Sequence, residues 1–215
     1  MPPPYRLLLF DLDGTLVDTV ADITYYVNEV LVERGLAPVS VPQVKEAIGW
    51  GVHELLRILA PVFSADPEGL EVATQAFKDR YRLRPVLETR PFPGVVEVLE
   101  GPLKNTAKAI VTNKPQDIAL RVLEKLGIKR HFEHVIGTLG DFPPKPDPAS
   151  SLYLMRRFGT APESTVYIGD SGVDAETSAA AGIDFGWVEY GYQSSGGFTP
   201  RFRFSNAAEW ERLVR

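Results

Sequence analysis

Asp11 and Asp13 stand two residues apart in Asp11-Leu12-Asp13-Gly14-Thr15, directly after the apolar run Leu7-Leu8-Leu9-Phe10. A short run with no polar member reads as a strand buried on both faces of a parallel sheet. In such sheets, ligands bind in the crevice beyond the carboxyl ends of the strands. The two carboxylates are therefore aimed at the place where chemistry is done. The pair has three possible jobs: holding a metal, supplying a nucleophile, or supplying a nucleophile together with an acid.

Three more polar clusters follow apolar runs or open helices. They are Thr112-Asn113-Lys114 after Val111, Lys145-Pro146-Asp147-Pro148, and Gly169-Asp170-Ser171 with Asp174 after Val166–Ile168. If all four meet at one sheet edge, they offer carboxylates, a hydroxyl, a fixed cation and a backbone turn. Phosphoryl transfer needs such a set: a nucleophile, a hard cation on oxygen ligands, and donors for the phosphoryl oxygens. Each cluster also has a plainer reading. Thr112 can cap a helix, Lys145 can be a solvated charge, Asp174 can be the N-cap of the helix after it, and Asp18 fits a helix cap better than a substrate contact.

In this order, the clusters resemble the four signatures of haloacid-dehalogenase-superfamily phosphatases: Asp11 to Asp18, Thr112-Asn113, Lys145 to Pro148, and Gly169 to Asp174. The resemblance implies that Asp11 is the nucleophile and becomes an aspartyl phosphate. Asp13 is the general acid and then the general base. Gly14 permits the tight turn that brings backbone N–H groups near the phosphate. Thr112 donates to a phosphoryl oxygen, Asn113 frames the site, and Lys145 neutralises charge shared by Asp11 and the phosphate. It further implies Mg²⁺, held by the Asp11 carboxylate, the Asp13 backbone carbonyl and Asp170, with Asp174 supporting from behind. An aspartate two residues after the nucleophile separates phosphate-ester chemistry from dehalogenases, which lack it, and from phosphonatases, which carry a small residue there.

These residues need elements to position them. Further strands are expected at 108–112, 134–137, 165–169 and 185–188, with helices at 115–126, 148–158 and 174–181 between them. Strand alternating with helix predicts an α/β fold, a Rossmann-like parallel sheet covered by helices. The stretch 17–87 breaks the rhythm with helical patterns at 18–34, 44–48, 52–59 and 67–83. The expected organisation is a core of 1–16 plus 88–215 and an inserted α-helical cap of 17–87. The segment 198–204 reads as an irregular edge before a final helix from Asn206. The resemblance makes the insert a cap that closes over the site and chooses the substrate. Its segment Ala47 to Leu56 is similar to the cap loop of phosphoglycolate phosphatases, which makes Trp50 and Gly51 candidate substrate contacts. Lys45 and Arg57 flank that loop as candidates for a substrate carboxylate, and His53 is a weaker candidate.

The chain has 215 residues, a formal net charge of −5 and no cysteine. The absence of cysteine excludes disulfides, thiolate nucleophiles and cysteine-held zinc. The acidic balance argues against a nucleic-acid surface, and Met1-Pro2-Pro3-Pro4 has no signal-peptide pattern. The expectation is a cytoplasmic enzyme with no membrane or nucleic-acid partner, monomeric or homodimeric. It is expected to act on a small phosphorylated metabolite, 2-phosphoglycolate first. Alternatives are a β-phosphoglucomutase-like sugar-phosphate mutase or a pyrophosphatase of the same superfamily and, more remotely, a non-catalytic binding protein on the same fold.

Overall fold

The computed structural model describes residues 5–193 and 197–215. Its centre is a six-stranded, all-parallel sheet. The strands are β1 (Leu7–Phe10), β4 (Ala107–Pro115), β5 (His134–Thr138), β6 (Thr165–Gly169), β7 (Asp184–Val188) and β8 (Phe202–Phe204), in the order β5-β4-β1-β6-β7-β8. The alternation of side chains along β1 explains why its whole run is apolar. Leu8 and Phe10 pack on one face with Val95, Leu99, Leu123 and Trp210. Leu7 and Leu9 pack on the other with Leu154, Met155 and Ala181. The first face is covered by α5 (Val95–Glu100), α6 (Gln116–Lys125) and a 3₁₀ segment, Ala207–Leu213; the second is covered by α7 (Ala149–Phe158) and α8 (Gly172–Ala181). The α/β class read from the sequence is the class observed.

Between β1 and α5, the chain forms α1 (Val20–Glu33), α2 (Val41–Ala47), α3 (Val52–Leu59), a 3₁₀ segment at Pro61–Ala65, and α4 (Pro67–Leu83). Val27, Val30, Val44, Leu56, Phe77 and Tyr81 form an apolar cluster of their own, which extends onto Ile118 and Val122 of α6. Burying each such side chain contributes roughly 1.5–3 kcal/mol. The outgoing and returning segments pair as two short antiparallel strands, β2 (Val17–Asp18) and β3 (Arg90–Pro91). Buried Asp22 of α1 clamps the return, accepting from Leu87 N at 2.9 Å, Glu88 N at 2.7 Å and Thr89 Oγ1 at 2.6 Å.

Several elements differ from the sequence reading. Phe202–Phe204 is a sixth strand paired to β7 rather than an irregular edge, and the segment after Asn206 is 3₁₀ rather than α. β4 runs past Thr112 to Pro115 with a register shift, which draws Asn113 and Lys114 into the strand. The last helix of the βα series starts at Gly172, and Ser171 rather than Asp174 is its N-cap.

Candidate functional site

The register of the sheet brings the four clusters together. Phe10 lies opposite both Ile110 and Ile168, so Asp11, Thr112 and Asp170 leave three neighbouring strands at one edge. Asp11 N closes the junction by donating to Ile168 O at 2.9 Å. The chain then turns tightly: Leu12 O accepts from Leu16 N at 3.0 Å and Val17 N at 3.1 Å. Gly14 sits at φ +84°, where a Cβ would fall 2.2 Å from Asp170 Oδ2. Only glycine fits both that conformation and that approach.

Three buried carboxylates converge here. One oxygen from each of Asp11, Asp170 and Asp174 lies within 4.8 Å of the others. Lys145 Nζ stands 2.9 Å from Asp11 Oδ1 and 2.6 Å from Asp174 Oδ1. Asp174 Oδ2 accepts from Ser171 N at 3.0 Å and Ser171 Oγ at 2.6 Å, so both its oxygens are engaged. Asp170 is oriented by Tyr192 N at 2.7 Å and Thr15 Oγ1 at 3.2 Å. Lys145 itself is placed by Asn113, whose Oδ1 accepts from Lys145 N at 2.8 Å and whose Nδ2 donates to Lys145 O at 3.0 Å.

Burial is the largest influence on these acids. It pushes the Asp11 carboxyl up to about 7, with Lys145 pulling it down and Asp174 and Asp13 pushing it further up. Burial, then Asp174 and Asp11, push Asp170 well above the ordinary range. Burial disfavours the Lys145 ammonium, but Asp11 and Asp174 more than offset this and hold it well above its ordinary value. One lysine against three buried carboxylates leaves negative charge uncompensated. Among the described residues, Asp11 Oδ1 has no aligned hydrogen-bond donor, although Lys145 Nζ lies 2.9 Å away. An all-oxygen, charge-deficient cradle of this kind fits a hard divalent cation such as Mg²⁺.

Asp13 belongs to a second cluster. Its Oδ1 accepts from Thr19 Oγ1 at 2.7 Å, and Lys114 Nζ meets its two oxygens at 3.0 and 3.2 Å. Lys114 also donates to Tyr81 Oη at 3.1 Å. A cavity of roughly 500 Å³, counting its open mouth, rises from Asp11, Asp13, Thr112 and Lys114 to a wall of Ile23, Ile48, Leu55, Phe77 and Tyr81 from the helical insertion.

The structure brings Asp11, Asp13, Gly14, Thr112, Asn113, Lys145, Asp170 and Asp174 into one site, and Gly51 lines the cavity. It does not bring Trp50, Lys45, Arg57 or His53 there. Trp50 is 45 % exposed, its backbone held between Gly49 at φ +129° and Gly51 at φ +88°. Lys45 lies over the ring of Tyr192 at 5.6 Å. Arg57 is exposed and pairs with Glu54, and His53 is exposed. Helical geometry explains Arg57: at about 100° per residue, it points nearly opposite to Leu55, which lines the cavity. Sequence reasoning assigned no role to Lys114, Tyr81, Thr19 or Tyr192. Their signal is weak because their partners are distant in the chain; Lys114 and Asp13 are separated by 101 positions.

A buried carboxylate, a second carboxylate beside it and a cation cradle at the carboxyl edge of a parallel sheet mark an α/β-class protein with a site laid out as in enzymes of that architecture. The chain belongs to the haloacid dehalogenase-like hydrolase family, whose model matches residues 8–188. It is 38 % identical over 194 residues to phosphoglycolate phosphatase 1 of Pseudomonas aeruginosa, covering 87 % of this chain and 70 % of that one. It is 30 % identical over 213 residues to the phosphoglycolate phosphatase of Aquifex aeolicus, covering 97 % and 96 %. Its fold matches the crystal structure of a predicted phosphoglycolate phosphatase from Haemophilus somnus with a TM-score of 0.88, at 27 % identity and 97 % coverage of both chains. Among the described residues, no helix is long and apolar enough to cross a membrane.

Proposed function

We propose that the chain is a Mg²⁺-dependent, cytoplasmic phosphatase that hydrolyses a small phosphate monoester, 2-phosphoglycolate first, through an aspartyl-phosphate intermediate. The observation that carries the reading is the convergence of Asp11, Asp13, Thr112, Lys145 and Asp170 at one sheet edge. Asp11 attacks phosphorus, and Asp13 protonates the departing alkoxide. Asp13 then takes a proton from water, which attacks the aspartyl phosphate and frees Asp11. Thr112 Oγ1 donates to a phosphoryl oxygen. Lys145 offsets the charge of Asp11 and holds its carboxylate in line.

Asp11, Asp170 and the Asp13 backbone carbonyl would hold Mg²⁺, with Asp174 fixed behind them by Lys145 and Ser171. Bound there, the ion supplies the positive charge that lets a carboxylate approach a phosphate dianion. Residues 17–87 act as a cap over a core of 1–16 plus 88–215. Support for this comes from the apolar core of the insertion and from its wall on the cavity. The scarcity of polar groups on that wall favours a small ester over a phosphorylated sugar, and with it a phosphatase over a mutase.

The test is phosphate release from a panel of esters with Mg²⁺ and with chelator. Wild type should hydrolyse 2-phosphoglycolate only with the ion. Asp11→Asn should remove turnover yet keep or raise thermal stability, since it deletes one of three crowded buried charges. An Asp11→Asn enzyme with undiminished turnover would refute the mechanism.

A further inference from the structure

We propose that Lys114 is the specificity-determining residue of this site. Its ammonium takes a carboxylate carried on the carbon next to the ester oxygen, so short phosphoryloxy carboxylates are favoured over esters of neutral alcohols. The proposal rests on the phosphatase reading above and adds to it the residue and the contact.

Among the described residues, Lys114 is the sole cation that lines the cavity. Lys145 is held between Asp11 and Asp174, and neither Lys45 nor Arg57 reaches the lining. The Lys114 side chain is 4 % exposed, its Nζ 4.3 Å from the centre of the Tyr81 ring. Around it the insertion presents Ile23, Ile48, Leu55 and Phe77. A second anionic group entering such a cavity must be paired or it does not enter, and Lys114 is the partner available.

Distance sets the length of substrate. Asp13 has to reach the leaving oxygen, and Lys114 Nζ lies 3.0 Å from the Asp13 carboxylate. A carboxylate on the adjacent carbon places its oxygens roughly 3 Å from that leaving oxygen by ordinary bond lengths, within the sphere of the same ammonium. A longer spacer pushes the carboxylate into the apolar wall.

Exchange of partners links binding to turnover. Lys114 meets both Asp13 oxygens, and Thr19 Oγ1 also donates to Oδ1. A substrate carboxylate draws the ammonium away. Thr19 keeps Asp13 in place, and Oδ2, no longer paired with Lys114, takes up a proton from solvent and faces the leaving oxygen as its donor. An ester without a carboxylate leaves Lys114 on Asp13, so discrimination appears in kcat as well as KM.

The experiment compares 2-phosphoglycolate with its neutral counterpart, 2-hydroxyethyl phosphate, in the Mg²⁺-loaded full-length enzyme. Wild-type kcat/KM should favour the carboxylate about 100-fold, the scale of a buried charge pair, with kcat contributing. In Lys114→Met that ratio should fall to within about tenfold of unity, whatever happens to the common rate. Tyr81→Phe, which keeps the ring and removes the hydroxyl, should give an intermediate ratio. A wild-type ratio near one, or an unchanged ratio in Lys114→Met, overturns the proposal. If wild type hydrolyses neither ester, the phosphatase reading fails first. If Lys114→Met does not fold, inhibition of wild type decides: glycolate should compete at least tenfold better than ethylene glycol, and equal inhibition overturns the proposal.

Discussion

The acidic cluster makes the stability of the metal-free protein depend on pH in a defined direction. In the unfolded chain the Asp11 carboxyl titrates near 3.8, and in the fold it is pushed up to about 7. Between those values the folded state binds more protons than the unfolded state, so stability falls as pH rises. At roughly 1.4 kcal/mol per pH unit of separation, the total loss is roughly 4 kcal/mol above pH 7. About a third of it is already lost by pH 5, which leaves about two thirds between pH 5 and 8. Asp170, raised by the same burial and crowding, acts in the same direction. For a chain of this size, that corresponds to roughly 5–10 °C in Tm.

A divalent cation binding the ionised carboxylates removes the penalty. The quantity to measure is therefore the Tm difference between Mg²⁺ and EDTA across pH 5 to 8 by differential scanning calorimetry. Taking the difference cancels groups away from the cluster, among them His131, which burial lowers and which runs the opposite way. The difference should widen with pH by several degrees and shrink in Asp170→Asn. A difference that is flat over this range, or unchanged in Asp170→Asn, refutes the assignment of the cation cradle.

Three other variants have defined outcomes. Asp22→Asn turns an –NH₂ toward backbone donors at 87–89; it should cost about 3 kcal/mol, read as roughly 6–12 °C in Tm, with the ester preference unaltered. Gly14→Ala would place a methyl 2.2 Å from Asp170 Oδ2 and should raise the Mg²⁺ concentration for half-maximal phosphate release about 10- to 100-fold, seen by titration and by calorimetry. Arg57→Ala should leave kcat/KM for 2-phosphoglycolate within about twofold, because the side chain is solvent-exposed and occupied with Glu54.

What the sequence makes legible depends on how local each signal is. Asp11, Thr112 and Asp170 each end an apolar run, and parallel register alone is enough to bring them to one edge. Phe202–Phe204 is unreadable as a strand because it is three residues long, carries Arg203 and comes after Pro200; its pairing with β7 supplies what its own pattern lacks. The Asp22 clamp joins positions 65 to 67 apart, beyond any local pattern. Lys45 and Arg57 look poised for a substrate because they flank Gly49-Trp50-Gly51 in sequence. The cavity instead takes Ile48, Gly49, Gly51, Val52 and Leu55 from that segment. Lys114 sits beside Thr112 in plain view, but its direction depends on the register shift in β4.

The site separates into two charge systems that meet at Asp13 and Asp11. Three carboxylates and Lys145 form the system placed by strand ends and by the cap of α8; Asp13 and Lys114 form the other, completed by Tyr81 from the helical insertion. Four carboxylates against two ammoniums leave two formal negative charges, which one divalent cation balances. Asn113 and Gln193 tie the insertion to this edge, donating to Gly49 O at 3.0 Å and Ile48 O at 2.6 Å. Displacing the insertion would break those two bonds and the Tyr81 contact, while the Asn113–Lys145 pairing and the carboxylate cluster lie within the sheet edge and persist. Metal-linked stability thus reads the first system and ester preference the second. A variant such as Tyr81→Phe should alter the preference without altering the dependence of the Mg²⁺–EDTA difference on pH. If both moved together, the two systems would have to be one, and the division of labour between Lys145 and Lys114 would fall with it.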